Sequence, residues 1–117
     1  MENLSNNFDF ETIPLNDDYE GRNTATLIKA KANTGSRQSV LYIHGFVDYF
    51  FHDHVAKKFN EHGYDFYALD MRKYGRSLLP HQHACYAKSL DEYFDEISYS
   101  LKQIYNKSKK KVLLLGH

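Results

Sequence analysis

Three short runs in which every residue is apolar constrain the fold of this chain more than any other feature. They are Val40–Ile43, Phe66–Leu69 and Val112–Leu115. A strand can be apolar at every position only where both of its faces are covered, as in the interior of a parallel sheet. The three runs therefore predict three buried strands of one sheet.

A helical pattern lies between the first two of these strands. The apolar residues Phe51, Val55 and Phe59 recur at a spacing of four, which places them on one face of a helix. The pair His62-Gly63 follows, and glycine commonly ends helices because it adopts the left-handed conformation easily. We predict a helix of about ten residues that ends near Gly63.

A second helix is predicted to begin at Ser89. Glu92 stands three residues further on, the spacing of a capping box in which the two residues cap the first turn reciprocally. We expect the helix to stop around Tyr105. Its predicted apolar stripe comprises Leu90, Phe94, Ile97, Leu101 and Ile104.

The N-terminal part has a different pattern. The run Thr24–Lys31 alternates roughly between polar and apolar residues, which is typical of a half-exposed antiparallel strand and predicts the outer edge of the sheet. A turn is expected after it, over Asn33–Ser36. Residues 1–16 have no clear period and contain Ile13-Pro14, so we interpret them as an arm or a short edge strand.

Together these elements predict an α/β fold. Alternating strands and helices with right-handed connections give a three-layer α/β/α arrangement, here with a mostly parallel sheet and an antiparallel N-terminal edge. Residues 17–117 would form part of a single domain. Rossmann and flavodoxin-like domains share this alternation, so function has to be inferred from the loops at the carboxyl ends of the strands.

The first such loop follows Ile43 and reads His44-Gly45-Phe46-Val47-Asp48. Acyl transfer needs backbone N–H groups aimed at the negative oxygen of a tetrahedral intermediate, and a glycine lets the chain turn tightly enough to present the next amide. A simpler interpretation is that Gly45 only turns the chain and His44 only bonds neighbouring backbone. The dipeptide alone favours that simpler interpretation.

The other two loops follow the second and third buried strands. The segment from Asp70 to Ser77 reads DMRKYGRS, and its expected role is structural, with Asp70 pairing with the arginines to hold a turn. It lacks the G-x-x-x-x-G-K arrangement of a phosphate loop. After the third strand come Gly116 and His117.

The three loops, in this order, resemble those of the α/β-hydrolase superfamily over roughly residues 20–117. The second is similar to the D-x-R-G-x-G-x-S segment of lysophospholipases, monoglyceride lipases and S33 serine aminopeptidases, although Lys73 stands where a glycine is usual. Gly116 and His117 match the start of the G-x-S-x-G nucleophile elbow. The nucleophilic serine would then be the residue that follows His117.

This resemblance implies a serine hydrolase that cleaves a small-molecule acyl ester through an acyl-enzyme and needs no cofactor. It implies that the Phe46 backbone N–H is an oxyanion donor, in a loop shaped by His44 and Gly45. The catalytic serine, acid and histidine are expected outside these residues. The elbow would start at Gly116 and His117, and the structural loop beside the site would comprise Asp70, Arg72, Gly75 and Ser77.

Two alternatives remain open. Related hydrolases such as dehalogenases carry aspartate at the elbow and attack alkyl carbons, and the residue after His117 separates them from serine hydrolases. The chain could also be a truncated, non-catalytic form or an interaction module. We would expect such a form to fold poorly, because an apolar strand at Val112–Leu115 would be left uncovered.

A cluster of aromatic residues surrounds the first loop. Phe46, Tyr49, Phe50 and Phe51 could line an acyl pocket or pack beneath a cap, and Phe51 is better assigned to the helix stripe. The cluster therefore favours an apolar acyl group only mildly.

Other reactive residues have simpler interpretations. Cys85 lies near His81 and His83, which could stabilise a thiolate, but a small packing residue is the more common role of cysteine. The pairs His52/His54 and His81/His83 lack cysteine partners or an H-E-x-x-H helix. We therefore predict no metal site.

The charge distribution argues against polyanionic partners. The sequence has 15 basic and 15 acidic residues, so no overall field attracts nucleic acid or an anionic membrane. The lysines of Lys107–Lys111 are interpreted as a solvated turn at a helix C-terminus. No apolar run approaches the ~20 residues that span a bilayer. With a single cysteine and no signal pattern in Met1–Asn7, a cytoplasmic location is expected.

Overall fold

The computed structural model describes residues 8–32, 38–46, 48–50 and 52–117. The expected turn at Asn33–Ser36 and the stripe residue Phe51 lie outside the described residues. The described strands form one sheet in the order β1-β2-β4-β3-β5. Their bounds are β1 Asp9–Asp18, β2 Gly21–Ala30, β3 Gln38–Ile43, β4 Tyr64–Asp70 and β5 Val112–Gly116, and the α-helices are α1 Asp53–Glu61 and α2 Phe94–Ser108.

The sheet has the mixed character that the sequence predicts. Strands β3, β4 and β5 run parallel, whereas β2 pairs antiparallel with both β1 and β4. The crossovers between the parallel strands carry α1 and α2, which gives the predicted α/β fold with an antiparallel N-terminal edge. None of the described helices is long and apolar enough to cross a membrane.

The two helices cover opposite faces of the sheet. Successive strand residues point to opposite faces, so Phe66 and Ala68 of β4 pack with Ala56 of α1, whereas Tyr67 and Leu69 belong to the core beneath α2. Two separate apolar cores result, one on each side of the sheet. This arrangement confirms the three layers.

The first helix agrees with its sequence pattern. Helix α1 spans Asp53–Glu61, and Gly63 follows its C-cap residue His62 with a φ of 85°. Glycine adopts this left-handed conformation without a steric penalty. The predicted end of the helix is therefore confirmed.

The prediction that Thr24–Lys31 forms the outer edge of the sheet is wrong. Strand β2 lies between β1 and β4, and Ala25, Leu27 and Ile28 are completely buried. The reason is that β1 folds back on β2 as a hairpin and itself becomes the edge strand. Pro14, which lacks an N–H group, is compatible with such an edge position.

The second helix begins and ends differently from the prediction. The capping box of Ser89 and Glu92 is present, but it opens a 3₁₀ turn over Leu90–Tyr93 that leads into α2. Helix α2 continues to Ser108, beyond the expected end at Tyr105.

The predicted apolar stripe of this second helix is wrong at its first two positions. Leu90 and Phe94 are 77% and 60% exposed. The tighter 3₁₀ turn changes the angular spacing of side chains, so a different line of residues faces the sheet. That line consists of Tyr93, Glu96, Ser100 and Ile104, all of them buried.

The prediction that Val112–Leu115 is a buried strand is also wrong for the chain as described. Strand β5 pairs with β3 on one side, and no described residue pairs with its other side. Leu113 and Leu114 are consequently 44% and 56% exposed. The all-apolar pattern of β5 is that of an interior strand, although its position here is an edge.

Candidate active site at the carboxyl end of the sheet

The pairing of β3 with β5 brings the first and third loops together. Ile43 is the partner of Gly116, and the His117 N–H donates to the Ile43 carbonyl at 3.0 Å. A Cβ atom at Gly45 would lie 3.1 Å from the carbonyl oxygen of His117, which leaves little room for a side chain. The two loops therefore meet at the carboxyl ends of the strands, where open α/β sheets bind ligands.

His44 connects the first loop to the second. Its ring is buried, and Nε2 accepts a hydrogen bond from the Met71 N–H at 3.0 Å. Because Nε2 accepts, the geometry assigns the ring proton to Nδ1, which lies 2.9 Å from the Gly45 carbonyl and donates to it. The His44 ring thus links the first loop to the start of the second, and its role in shaping an oxyanion loop remains a prediction.

Phe46 lies in the turn after Gly45, and its side chain is largely exposed. Its backbone N–H as an oxyanion donor remains a prediction. Among the neighbouring aromatic residues, Phe50 is fully buried, with its ring centroid 5.4 Å from that of Phe66 and 5.7 Å from that of Tyr42. Phe50 therefore packs in the core beneath α1, whereas the Phe46 side chain is exposed.

Asp70 organises the backbone beside this site. The carboxylate is buried, and Oδ1 accepts from the Phe50 N–H at 2.8 Å. Oδ2 accepts from Arg76 Nη1 at 2.7 Å, and the same Nη1 donates to the Phe50 carbonyl at 2.7 Å. Asp70 and Arg76 therefore fix the segment that follows the first loop.

Gly75 and Ser77 complete the second loop. Gly75 has a φ of 45°, and a Cβ atom there would lie 2.5 Å from Tyr49 Cβ and 3.0 Å from Asp70 Oδ2. The Ser77 hydroxyl donates to the Asp70 carbonyl at 2.6 Å and lies 3.0 Å from the Thr26 hydroxyl. These contacts give both residues a structural role in the turn.

Arg72 does not pair with Asp70, contrary to the expectation that Asp70 forms ion pairs with the arginines of this loop. It pairs with Glu96 of α2, to which Nη2 donates at 2.8 Å and the backbone N–H at 2.9 Å. Both side chains are almost completely buried. The reason is that the Tyr93–Ile104 line of α2 faces the sheet and places a carboxylate beside the start of the loop.

The sequence pattern does not identify Glu96 as a buried residue. A carboxylate at a buried helix position is indistinguishable from a surface one until the inward face of the helix is known.

Lys73 stands at the glycine position of the D-x-R-G-x-G-x-S segment that this loop resembles, and its backbone conformation is one that glycine favours. Its φ is 64°, in the left-handed region that glycine adopts most easily. The side chain is buried in this structure, and Nζ lies 2.8 Å from both Asp18 Oδ2 and Glu20 Oε1. Lys73 therefore ties the β1–β2 turn to the second loop.

These ion pairs shift the pKa values of their members. Burial acts to lower the pKa of Lys73, but the bonds to Asp18 and Glu20 outweigh it and raise the pKa to about 12. The bonds from Lys73 and then His83 lower the pKa of Glu20 from 4.5 to about 2. For Asp18, burial opposes the shift, and the bond from Lys73 contributes most to lowering the pKa.

The lowered carboxyl pKa values predict an acid-sensitive contribution to stability. A carboxylate with a lowered native pKa stabilises the fold above its unfolded value of about 4.5, and this contribution disappears as the pH falls towards about 2. We expect the free energy of unfolding, measured with urea, to decrease over this pH range. Lys73→Met should weaken the decrease, whereas the exposed-site control Lys57→Met should retain it. Equal pH dependence in both variants would refute this assignment.

A further contact joins the loops across the site. Asp48 Oδ2 lies 3.8 Å from His117 Nδ1, so the carboxylate at the end of the first loop faces the histidine at the expected elbow. The sequence assigns Asp48 no role, because side-chain proximity across two loops has no signature in a sequence. The His117 side chain is largely exposed.

The remaining reactive residues have local partners. His81 Nε2 contacts the Arg22 carbonyl, and His83 pairs with Glu20. The Cys85 N–H donates to the Lys73 carbonyl at 2.8 Å, and its side chain packs against the core beneath α2. Among residues 8–32, 38–46, 48–50 and 52–117, no group of three or more histidines, cysteines or carboxylates is arranged to hold a metal ion.

Comparison with known families gives one profile match. The profile described as "Serine aminopeptidase, S33", a hydrolase family, matches residues 34–117. No curated protein sequence matches this chain.

Solved structures with the same fold include several esterases and lipases. A thermostable carboxyl esterase from Bacillus coagulans superposes with a TM-score of 0.76 at 18% identity, covering 92% of this chain and 36% of the esterase. A soluble variant of monoglyceride lipase from Saccharomyces cerevisiae gives 0.65 at 20% identity, covering 93% of this chain and 34% of the lipase. The chain thus spans about a third of each of these proteins. At such identities the likeness shows the fold.

Proposed function

This chain belongs to the serine aminopeptidase S33 family of hydrolases, and from that membership we propose that it is the N-terminal part of a serine hydrolase that cleaves carboxylic esters. The observation that carries the proposal is the meeting of the His44–Phe46 loop with Gly116 and His117 at one sheet edge. A nucleophile placed directly after His117 would stand beside the Phe46 backbone.

In the proposed reaction the serine oxygen attacks the ester carbonyl carbon while its proton passes to a histidine from a later part of the protein. The carbonyl oxygen becomes an oxyanion that accepts hydrogen bonds from the Phe46 N–H and from the amide after the serine. Collapse of this intermediate expels the alcohol, which takes up the proton. Water then attacks the acyl-enzyme and releases the acid.

The residues of this chain would contribute positioning. The Gly45 backbone is held between the His44 ring and the His117 backbone, so the Phe46 amide is fixed before substrate binds. Asp70 and Arg76 anchor the segment on the other side of the loop through Phe50. Preorganised donors of this kind stabilise the transition state because they need no rearrangement during the reaction.

The substrate class is proposed from two sources. The neighbours of similar fold are named as a carboxyl esterase and a monoglyceride lipase, and the exposed Phe46 side chain offers an apolar surface beside the expected oxyanion position. Together they favour a small-molecule ester with an apolar acyl group.

The proposal predicts a difference between the 117-residue chain and the longer protein that it would begin. We expect the 117-residue chain to show neither p-nitrophenyl ester hydrolysis nor labelling by a fluorophosphonate, and the longer protein to show both. In the longer protein, Gly45→Val should lower kcat by about a hundredfold, because it displaces the oxyanion loop from the elbow. The control Lys57→Gln on α1 should leave kcat unchanged.

Two results would count against this proposal. Loss of labelling in the longer protein together with turnover of haloalkanes would indicate the elbow-aspartate alternative. Full activity of Gly45→Val would show that the His44–Phe46 loop does not position the oxyanion donor.

A further inference from the structure

A pocket of about 260 Å³ lies away from the candidate active site, near the amino end of β4. The candidate active site lies at the carboxyl ends of the parallel strands. This pocket therefore lies at the opposite end, beside the amino ends of those strands. The residues that line it are Lys31, Asp65, Tyr67, Lys107, Ser108 and Lys110.

Lysines from separate parts of the chain converge on this pocket. Lys31 follows strand β2, whereas Lys107 is in the last turn of α2 and Lys110 follows that helix. The cationic residues at the end of α2 are explained in part by the partial negative charge of a helix C-terminus. That explanation does not extend to Lys31, which reaches the same pocket from the sheet.

Lys107 lies close to Lys31 of the lining and to Lys29, which is outside the lining. Contact with Lys29 lowers the pKa of Lys107, and burial and the charges of Lys29 and Lys31 lower it further. Lys29 itself is compensated by Glu11, at 2.7 Å. A group whose charged form is disfavoured by neighbouring cations is stabilised when an anion binds between them.

The pocket has less negative than positive charge. Asp65 is its one lining carboxylate among the described residues, and its Oδ1 already accepts from the Ala32 N–H at 2.8 Å. Tyr67 supplies a hydroxyl group, and burial followed by the Asp65 charge raises the pKa of Tyr67, which keeps its phenol protonated as a donor. The Ser108 hydroxyl already accepts from the Lys110 N–H at 3.2 Å and donates to the Lys110 carbonyl at 3.4 Å. The described lining therefore has three lysines and the Tyr67 hydroxyl against one carboxylate.

We propose that this pocket binds a single phosphate group, as inorganic phosphate or a small phosphomonoester, through Lys31, Lys107 and Lys110 with the hydroxyl of Tyr67. A phosphate dianion has enough oxygen acceptors for several donors at once and relieves the repulsion between the lysines. The concave shape and small volume suit one such group, whereas a polynucleotide would need an extended basic surface. The proposal is independent of the proposed esterase function.

The test titrates the longer protein that this chain would begin, using inorganic phosphate at low ionic strength, and is followed by amide chemical shifts and by the melting temperature. We expect saturable shifts at Lys31 and Ser108, dissociation constants of about a millimolar, and a melting temperature that rises with phosphate. Chloride at equal ionic strength should produce neither effect. The Lys107 amine should titrate at higher pH in the presence of phosphate.

Matched variants make the result specific. Combining Lys31→Gln with Lys107→Gln should weaken phosphate binding by about tenfold or more, while Lys57→Gln with Lys58→Gln, both on α1, should not change it. Circular dichroism of each variant verifies that the fold is retained.

Three outcomes would overturn the proposal: no saturable phosphate binding, equal loss of binding in both double variants, or binding to phosphatidic acid vesicles without binding to free phosphate. The last outcome would indicate attraction of a flat basic surface to a charged membrane in place of a pocket for one phosphate.

Discussion

Replacing Glu96 with alanine is expected to lower the free energy of unfolding by about 3–5 kcal/mol. The Glu96 side chain is completely buried and accepts three donor groups of Arg72: the backbone N–H, Nε and Nη2. Removing the carboxylate leaves the buried Arg72 guanidinium with only the largely exposed Asp95 carboxylate as a counter-charge, and this loss of buried compensation is what makes the substitution severe. Urea denaturation monitored by circular dichroism measures the change.

The same arginine provides a matched control. Asp95 Oδ2 lies 3.6 Å from Arg72 Nη2, but its side chain is 73% exposed. Ion pairs in contact with solvent contribute about 0–1 kcal/mol, so Asp95→Ala should have a small effect. Equal destabilisation by Asp95→Ala and Glu96→Ala would contradict the view that burial makes the Arg72–Glu96 pair important.

Replacing Gly75 with alanine is expected to lower the free energy of unfolding by roughly 2–4 kcal/mol. The new methyl group would lie 2.5 Å from Tyr49 Cβ and 3.0 Å from Asp70 Oδ2, at a residue whose φ is 45°. Tyr49 would have to move, and the bond from the Phe50 N–H to Asp70 would be disturbed with it. The measurement is again urea denaturation.

Two other glycines separate the steric effect from the backbone effect. Gly21 has a φ of 99°, but the nearest atom to an added Cβ would be 3.9 Å away, so Gly21→Ala should cost only the backbone strain, about 1–2 kcal/mol. An added Cβ at Gly116 would have no described atom within 4 Å, and Gly116→Ala should be close to neutral. A Gly75→Ala variant no less stable than Gly21→Ala would show that the crowding at Tyr49 is relieved at little cost.

The parts of the fold that could be predicted are those decided by local pattern. The apolar runs identify β3, β4 and β5 as strands, and the spacing of Val55 and Phe59 identifies α1. The position of β2 depends on which strands pair with it, and a hairpin with β1 that covers it is not visible in an alternating pattern.

Polar residues on the buried face of helix α2 make that face difficult to predict from the sequence. The residues that face the sheet include Glu96 and Ser100, which are polar and therefore do not contribute to an apolar pattern. The apolar pattern instead assigns Leu90 and Phe94 to the core, although both are exposed. Glu96 can be buried because it pairs with Arg72 from the loop after β4. This pairing depends on the tertiary structure and is therefore not visible in the sequence.

The candidate site is predictable in its placement and less so in its contacts. Parallel strands end at the same sheet edge, so the proximity of Gly45 to His117 follows from the assignment of β3 and β5. The bond from Met71 to His44 and the ion pairs of Lys73 could not be predicted, because each joins residues whose distance is set by packing between loops.

The position of the nucleophile is the most direct test of the proposed hydrolase function. The longer protein is treated with a fluorophosphonate, digested, and the modified peptide sequenced by mass spectrometry. We predict a single adduct on a serine immediately after His117. An adduct on a serine elsewhere in the chain, or an unmodified residue other than serine at that position, would contradict the proposed function.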